Sequence, residues 1–82
     1  GNAYPNPFNP ETKIDYHLEV SAEIEIFITD ILGRNIKAIY SGQKSGGSHS
    51  FSWDACTRPS GIYFAHLRLG TQSLSKKLMV VK

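Results

Sequence analysis

Glu23-Ile24-Glu25-Ile26-Phe27-Ile28-Thr29 decides the fold. Ile24, Ile26 and Ile28 fall on one side of an extended chain, and Glu23 and Glu25 fall on the other. That period of two marks a strand with one face buried. The same pattern recurs in both directions. Upstream, Ile14-Asp15-Tyr16-His17-Leu18 sets apolar residues against Asp15 and His17. Downstream, Asn35 to Tyr40 places Ile36, Ala38 and Tyr40 in phase. Ser48 to Trp53 alternates strictly, with His49, Phe51 and Trp53 against Ser48, Ser50 and Ser52. Ile62 to Leu69 sets Tyr63, Ala65, Leu67 and Leu69 against His66 and Arg68. In Ser73 to Val81, Leu74, Leu78 and Val80 share a phase opposite Lys77.

Turn residues punctuate these segments. Gly33 follows Asp30-Ile31-Leu32 and supplies the positive φ of a tight turn. Gly70-Thr71 suits a hairpin with glycine at its first central position. Ser41 to Gly47, with three glycines, reads as a polar loop. No ten-residue window has helical period. Six strands, and a seventh expected in residues 3–8, imply an all-β, immunoglobulin-like β-sandwich of about seven antiparallel strands. Trp53 is its largest core candidate.

The chain has 82 residues, 40% of them apolar and 20% charged, and a net charge of +2. These values describe one small globular domain with little room for a deep cleft. Residues 1–82 are read as a single domain with 1–11 as a proline-rich lead-in, taken from a longer protein. Residues 1–10 lack the basic start and apolar run of a signal peptide. No apolar run reaches the ~18 residues of a membrane span.

Charge is uneven along the chain. Residues 1–41 hold Lys13, Arg34 and Lys37 against Glu11, Asp15, Glu19, Glu23, Glu25 and Asp30. Residues 42–82 hold Lys44, Arg58, Arg68, Lys76, Lys77 and Lys82 against Asp54 alone. The expected consequence is pairing of the halves across strands. Nucleic-acid binding is not expected, because no basic stripe is interleaved with aromatics.

Catalytic patterns are missing. Cys56 is the only cysteine, excludes an internal disulfide and reads as a small filler. His17, His49 and His66 lie on three strands without metal-ligand spacing. Glu23 and Glu25 share a solvated face, Ser48, Ser50 and Ser52 lack a nucleophile elbow, and no glycine-rich phosphate loop opens a helix. The expectation is no enzyme, no cofactor and no metal. Tyr4, Tyr16, Tyr40 and Tyr63 are the candidates for a polysaccharide platform, although core packing accounts for three of them by phase.

Tyr4-Pro5-Asn6-Pro7-Phe8-Asn9-Pro10 is stiff and extended, since each proline fixes φ and removes a backbone donor. It reads as a clamp at a domain start, with Tyr4 and Phe8 as apolar anchors.

With this stretch, Phe27 to Arg34, Trp53-Asp54 with Ser60-Gly61-Ile62-Tyr63-Phe64, and Ser75 to Lys82 form four ordered blocks. Together they resemble the C-terminal sorting domain of the type IX secretion system. They are also similar to the immunoglobulin-like domain of flagellar hook-capping proteins. The resemblance implies a non-catalytic secretion signal fused behind a cargo. It implies passage through the periplasm and across the outer membrane to the cell surface or the medium, without membrane insertion. Its implied partners are the secretion machinery and a surface sortase-like peptidase. The implied recognition residues are Pro5, Asn6, Pro7, Gly33, Gly61, Tyr63, Lys76, Lys77 and Lys82. The alternative is an accessory binding module for polysaccharide or a neighbouring domain.

Overall fold

Six strands follow one another in the computed structural model, which describes residues 11–55 and 57–81. They are β1 (Glu11–Leu18), β2 (Ala22–Asp30), β3 (Asn35–Lys44), β4 (Gly47–Asp54), β5 (Gly61–Leu69) and β6 (Gln72–Val80). β1 pairs with β4, and a second sheet has the order β3-β2-β5-β6; all pairs are antiparallel. This is the immunoglobulin-like arrangement of two facing sheets. The seventh strand expected in residues 3–8 lies outside the described residues, as do Cys56 and the proline-rich clamp.

The alternation of β2 is realised as expected. Ile24, Ile26 and Ile28 are buried, the last completely. β2 sits between β3 and β5, so its isoleucines form the floor of the core. From β1 and β4, Ile14, Leu18 and Trp53 close over them, and Tyr63, Ala65, Leu78 and Val80 complete the interior. Two buried clusters result, joined through the half-buried Ile39 and Phe51.

Two strands cannot cover four. Leu74 shares the inward phase of Leu78 and Val80, yet it is 68% exposed. It lines a slot of about 140 Å³ with Ile14, Tyr16, Phe51 and Leu67.

β3 departs from the expected phase. Its register against β2 shifts twice, skipping Ile39 and then Ile36. Each shift is a bulge that rotates the following side chains. Ile36 and Ile39 therefore pack on the core, and Ala38 is exposed. The expected loop at 41–47 is also shorter than its composition suggests. Ser41 to Lys44 continue β3 by pairing with Glu25 to Ala22, and only Ser45 and Gly46 separate β3 from β4. Here the chain passes from one sheet to the other. Gly46 allows it: a Cβ there would stand 3.2 Å from the Val20 backbone.

The β5–β6 hairpin matches its sequence. Leu69 pairs with Gln72, Gly70 has φ +62, and no non-glycine residue among those described has positive φ. Glycine alone supplies the reversed twist of the type II′ turn.

Trp53 is 4% exposed and meets the Tyr63 ring edge-on at 5.2 Å. Trp53→Ala is expected to remove about 3–5 kcal/mol, most of what so small a domain has. Chemical denaturation checks this; an unchanged unfolding midpoint would remove Trp53 from the core.

Candidate functional site

The turn between β2 and β3 is built around Asp30. Its Oδ1 accepts hydrogen bonds from the backbone N–H of Leu32 and of Arg34, each at 3.0 Å. Its Oδ2 accepts from Arg34 Nε at 2.7 Å. The Asp30 carbonyl accepts from Gly33 N–H at 2.9 Å, and Asp30 N–H donates to Arg34 O at 3.0 Å. Gly33 has φ +85, the left-handed residue that closes a three-residue hairpin loop. Donors converging on one carboxylate favour its charged form. The Arg34 backbone donor leads in holding the Asp30 carboxyl below its ordinary range. The tip so fixed presents Ile31 and Leu32 to solvent.

A second constellation lies on the outer face of the four-stranded sheet. His66 Nε2 is 2.7 Å from Thr29 Oγ1, and Nδ1 is 2.9 Å from Ser75 Oγ. The imidazole stacks on Phe27 at 4.8 Å. Arg68 covers the same Phe27 ring at 5.0 Å and pairs with Glu25 at 2.8 Å. This ion pair joins the acidic and basic halves of the chain. Desolvation, then the charge of Arg68, push the His66 pKa down. Gly33, Phe27, Thr29, His66, Arg68 and Ser73 line a shallow groove of about 290 Å³. The Asp30 turn thus borders the His66 face.

The residues implied in recognition separate into three groups. Pro5, Asn6, Pro7 and Lys82 lie outside the described residues. Gly33, Gly61 and Tyr63 gather at one end of the sheet, since Asp30 pairs with Tyr63 and Gly61 with Val80. Lys76 and Lys77 lie midway along β6, opposite Ala65 and Phe64, and both are exposed. Tyr63 is 5% exposed, and its hydroxyl donates to Pro59 O at 2.7 Å. That bond ties the start of β5 to the crossover from β4, as the tyrosine corner does in related sandwiches. Tyr63 therefore acts inside the fold.

Neither a metal site nor an aromatic platform takes shape from the described residues. His17 meets Ser48 at 3.4 Å, His49 lies 2.7 Å from Ser45 O, and His66 stands on the other sheet. No described group of three histidine, cysteine or carboxylate side chains is arranged for a metal ion. Tyr16 and Tyr40 are half-buried against the Leu18, Ile24 and Ile26 cluster. With Tyr63 inside, none of the three offers a free flat ring; Tyr4 is outside the described residues.

Single-strand alternation missed the apolar part of the outer face. Ile26-Phe27-Ile28, Ile62-Tyr63-Phe64-Ala65 and Leu78-Met79-Val80-Val81 are unbroken apolar runs. Such runs mark strands with apolar residues on both faces.

The described residues thus form a β-sandwich with an ordered Asp30 turn and an apolar outer face. The family model for the secretion system C-terminal sorting domain matches residues 2–81, and the chain belongs to that family. It is a sorting-signal domain of type IX secretion, from a family that is not catalytic. It interacts with the type IX machinery, is attached to a cargo, and directs export across the outer membrane. No curated protein and no solved structure matches the chain.

Two titrations test the geometry. Unfolded Asp30 binds a proton more readily than folded Asp30. Its contribution to stability is therefore full above the unfolded pKa and fades as pH falls through the lower folded value. Carboxyl carbon NMR should show Asp30 titrating below 3.8, with the Leu32 and Arg34 amides shifting in step; titration above 3.8 would refute the turn geometry. His66 also has a depressed folded pKa, so stability falls as pH drops below about 6.5 and continues to fall through the folded value. Thr29→Val with Ser75→Ala should leave the depression in place, because burial and Arg68 cause it. Its disappearance would assign it to the two hydroxyls.

Proposed function

We propose that residues 1–82 act as one non-catalytic sorting domain, with 1–11 as the lead-in from an upstream cargo. The domain passes through the periplasm with its cargo and crosses the outer membrane by the type IX route. At the surface a sortase-like peptidase separates it from the cargo, which stays on the cell surface or is released. The observation that carries this reading is the family match across residues 2–81.

Recognition would draw on the Pro5-Asn6-Pro7 stretch, on the turn of Gly33, and on Lys76, Lys77 and Lys82. Gly61 and Tyr63 would serve by shaping the end of the sheet on which these marks are displayed. Lys76 and Lys77 support this reading through their place on an edge strand. β6 pairs with β5 on one side and with no described strand on the other. Such an edge is open to strand addition or charge contact by a partner.

The test is a fluorescent reporter fused ahead of residues 1–82 and expressed in a host with the type IX system. Export is expected with the fusion and lost both without residues 1–82 and in a host lacking the machinery. Equal retention of the fused and unfused reporter would reject the sorting role. Deleting Ser75–Lys82 is a blunter measurement, because it also removes Leu78 and Val80 from the core. Point changes at exposed β6 positions separate recognition from folding.

A further inference from the structure

The outer face of the four-stranded sheet is apolar where a sheet covered on one side is ordinarily polar. On β2, β5 and β6, core residues alternate with Phe27, Ile62, Phe64 and Met79, which face outward. The register sets Ile62 opposite Met79, and Phe64 between Thr29 and Lys77. Phe27 extends the row through His66, whose ring also lies 6.4 Å from Phe64. Met79 is 64% exposed, and Val81, just past the strand, is 68% exposed. The Asp30 turn holds Ile31 and Leu32 in solvent at this same end. Scattered apolar residues on a surface mean little, but a connected group on one face marks a docking surface.

Charge selects the occupant. Lys77 stands within the row and forms no ion pair among the described residues, while Lys76 has the opposite phase and lines the Leu74 slot. β5 and β6 contain no carboxylate. On this side Glu25 is taken by Arg68 and Asp30 by Arg34. A second copy placed face to face over this row would set Lys77 against Lys77; Glu23, the free carboxylate of this face, lies four residues before Phe27 toward the start of β2, beyond the row. The complement of this face is another protein with an apolar centre and a carboxylate rim.

We propose that Phe27, Ile62, Phe64 and Met79, with Lys77, form the surface by which the folded domain docks on such a protein of the export machinery. The proposal rests on the sorting role given above and adds the surface and the chemistry of its partner.

The test keeps residues 1–82 in the reporter fusion. Met79→Glu and Lys77→Glu alter exposed side chains. Each is expected to lower export about tenfold, the effect of losing one strong interface contact. The melting temperature of the purified domain should stay within about 3 °C of the parent, less than 1 kcal/mol at this size. Val81→Glu repeats the test beyond the last paired residue, should either variant fold poorly. Lys77→Arg should keep export. Val20→Glu, at an equally exposed apolar position at the far end of β2, should leave export unchanged.

Undiminished export of Met79→Glu, Lys77→Glu and Val81→Glu would overturn the docking face while leaving the sorting role in place. A loss with Val20→Glu equal to that with Met79→Glu would overturn it as well. A parent fusion that is not exported would reject the sorting role and the docking face together. Sedimentation showing a dimer that Met79→Glu dissociates would assign the face to a second copy instead.

Discussion

The packing of Trp53 against Tyr63 holds the two sheets as one body. A two-stranded ribbon is at best marginally stable in water. β1 and β4 persist because Trp53, on β4, is buried against Tyr63, on β5, with Ile14 and Ile28 in the same cluster. Tyr63 is fixed in turn by its hydroxyl bond to Pro59 O, which sets where the crossover from β4 enters β5. Placing β5 also places β6 through the hairpin at Gly70, and it aligns the Asp30 turn, since Asp30 pairs with Tyr63. One aromatic contact between the sheets thus governs the end of the sandwich where the turn, the start of β5 and the end of β6 meet.

Much of this was legible in the residues, for reasons that also explain the failures. β4 has one apolar face, and β2 has isoleucine at every inward position from Ile24 to Ile28, so alternation alone assigns their inward residues. Gly33 and Gly70 occupy positions where only positive φ closes the turn, and their turns stand where composition put them. β3 was harder, because Ile36-Lys37-Ala38-Ile39-Tyr40 offers apolar residues at spacings of two and of three. Only pairing with β2 reveals the bulges that choose Ile36 and Ile39 over Ala38. Ser41 to Lys44 look like loop by composition, yet their backbones pair, and backbone pairing does not depend on what the side chains are.

The outer face shows the limit of reading strands one at a time. The alternation of β5 alone places His66 and Arg68 outward, where they stand. Their partners were not legible, because Thr29, Ser75, Phe27 and Glu25 reach them across strand boundaries at separations set by register. Gly33 likewise reads as a turn residue in sequence. Its place beside the His66 groove follows from the hairpin folding back over β2. The candidate site is a property of the assembled sheet, and no single segment contains it.

β6 joins stability and recognition in one strand. Leu78 and Val80 face the core, while Lys77 and Met79 face outward between and beside them. An unfolded tail with the same residues would show all of them at once, apolar and basic together. In the folded domain Leu78 and Val80 are hidden, and Lys77 and Met79 line up with Phe64 and Ile62 across the sheet. A partner that reads this face therefore reads foldedness as well as sequence. Where such reading governs export, a cargo would be accepted only once the domain behind it has closed its core.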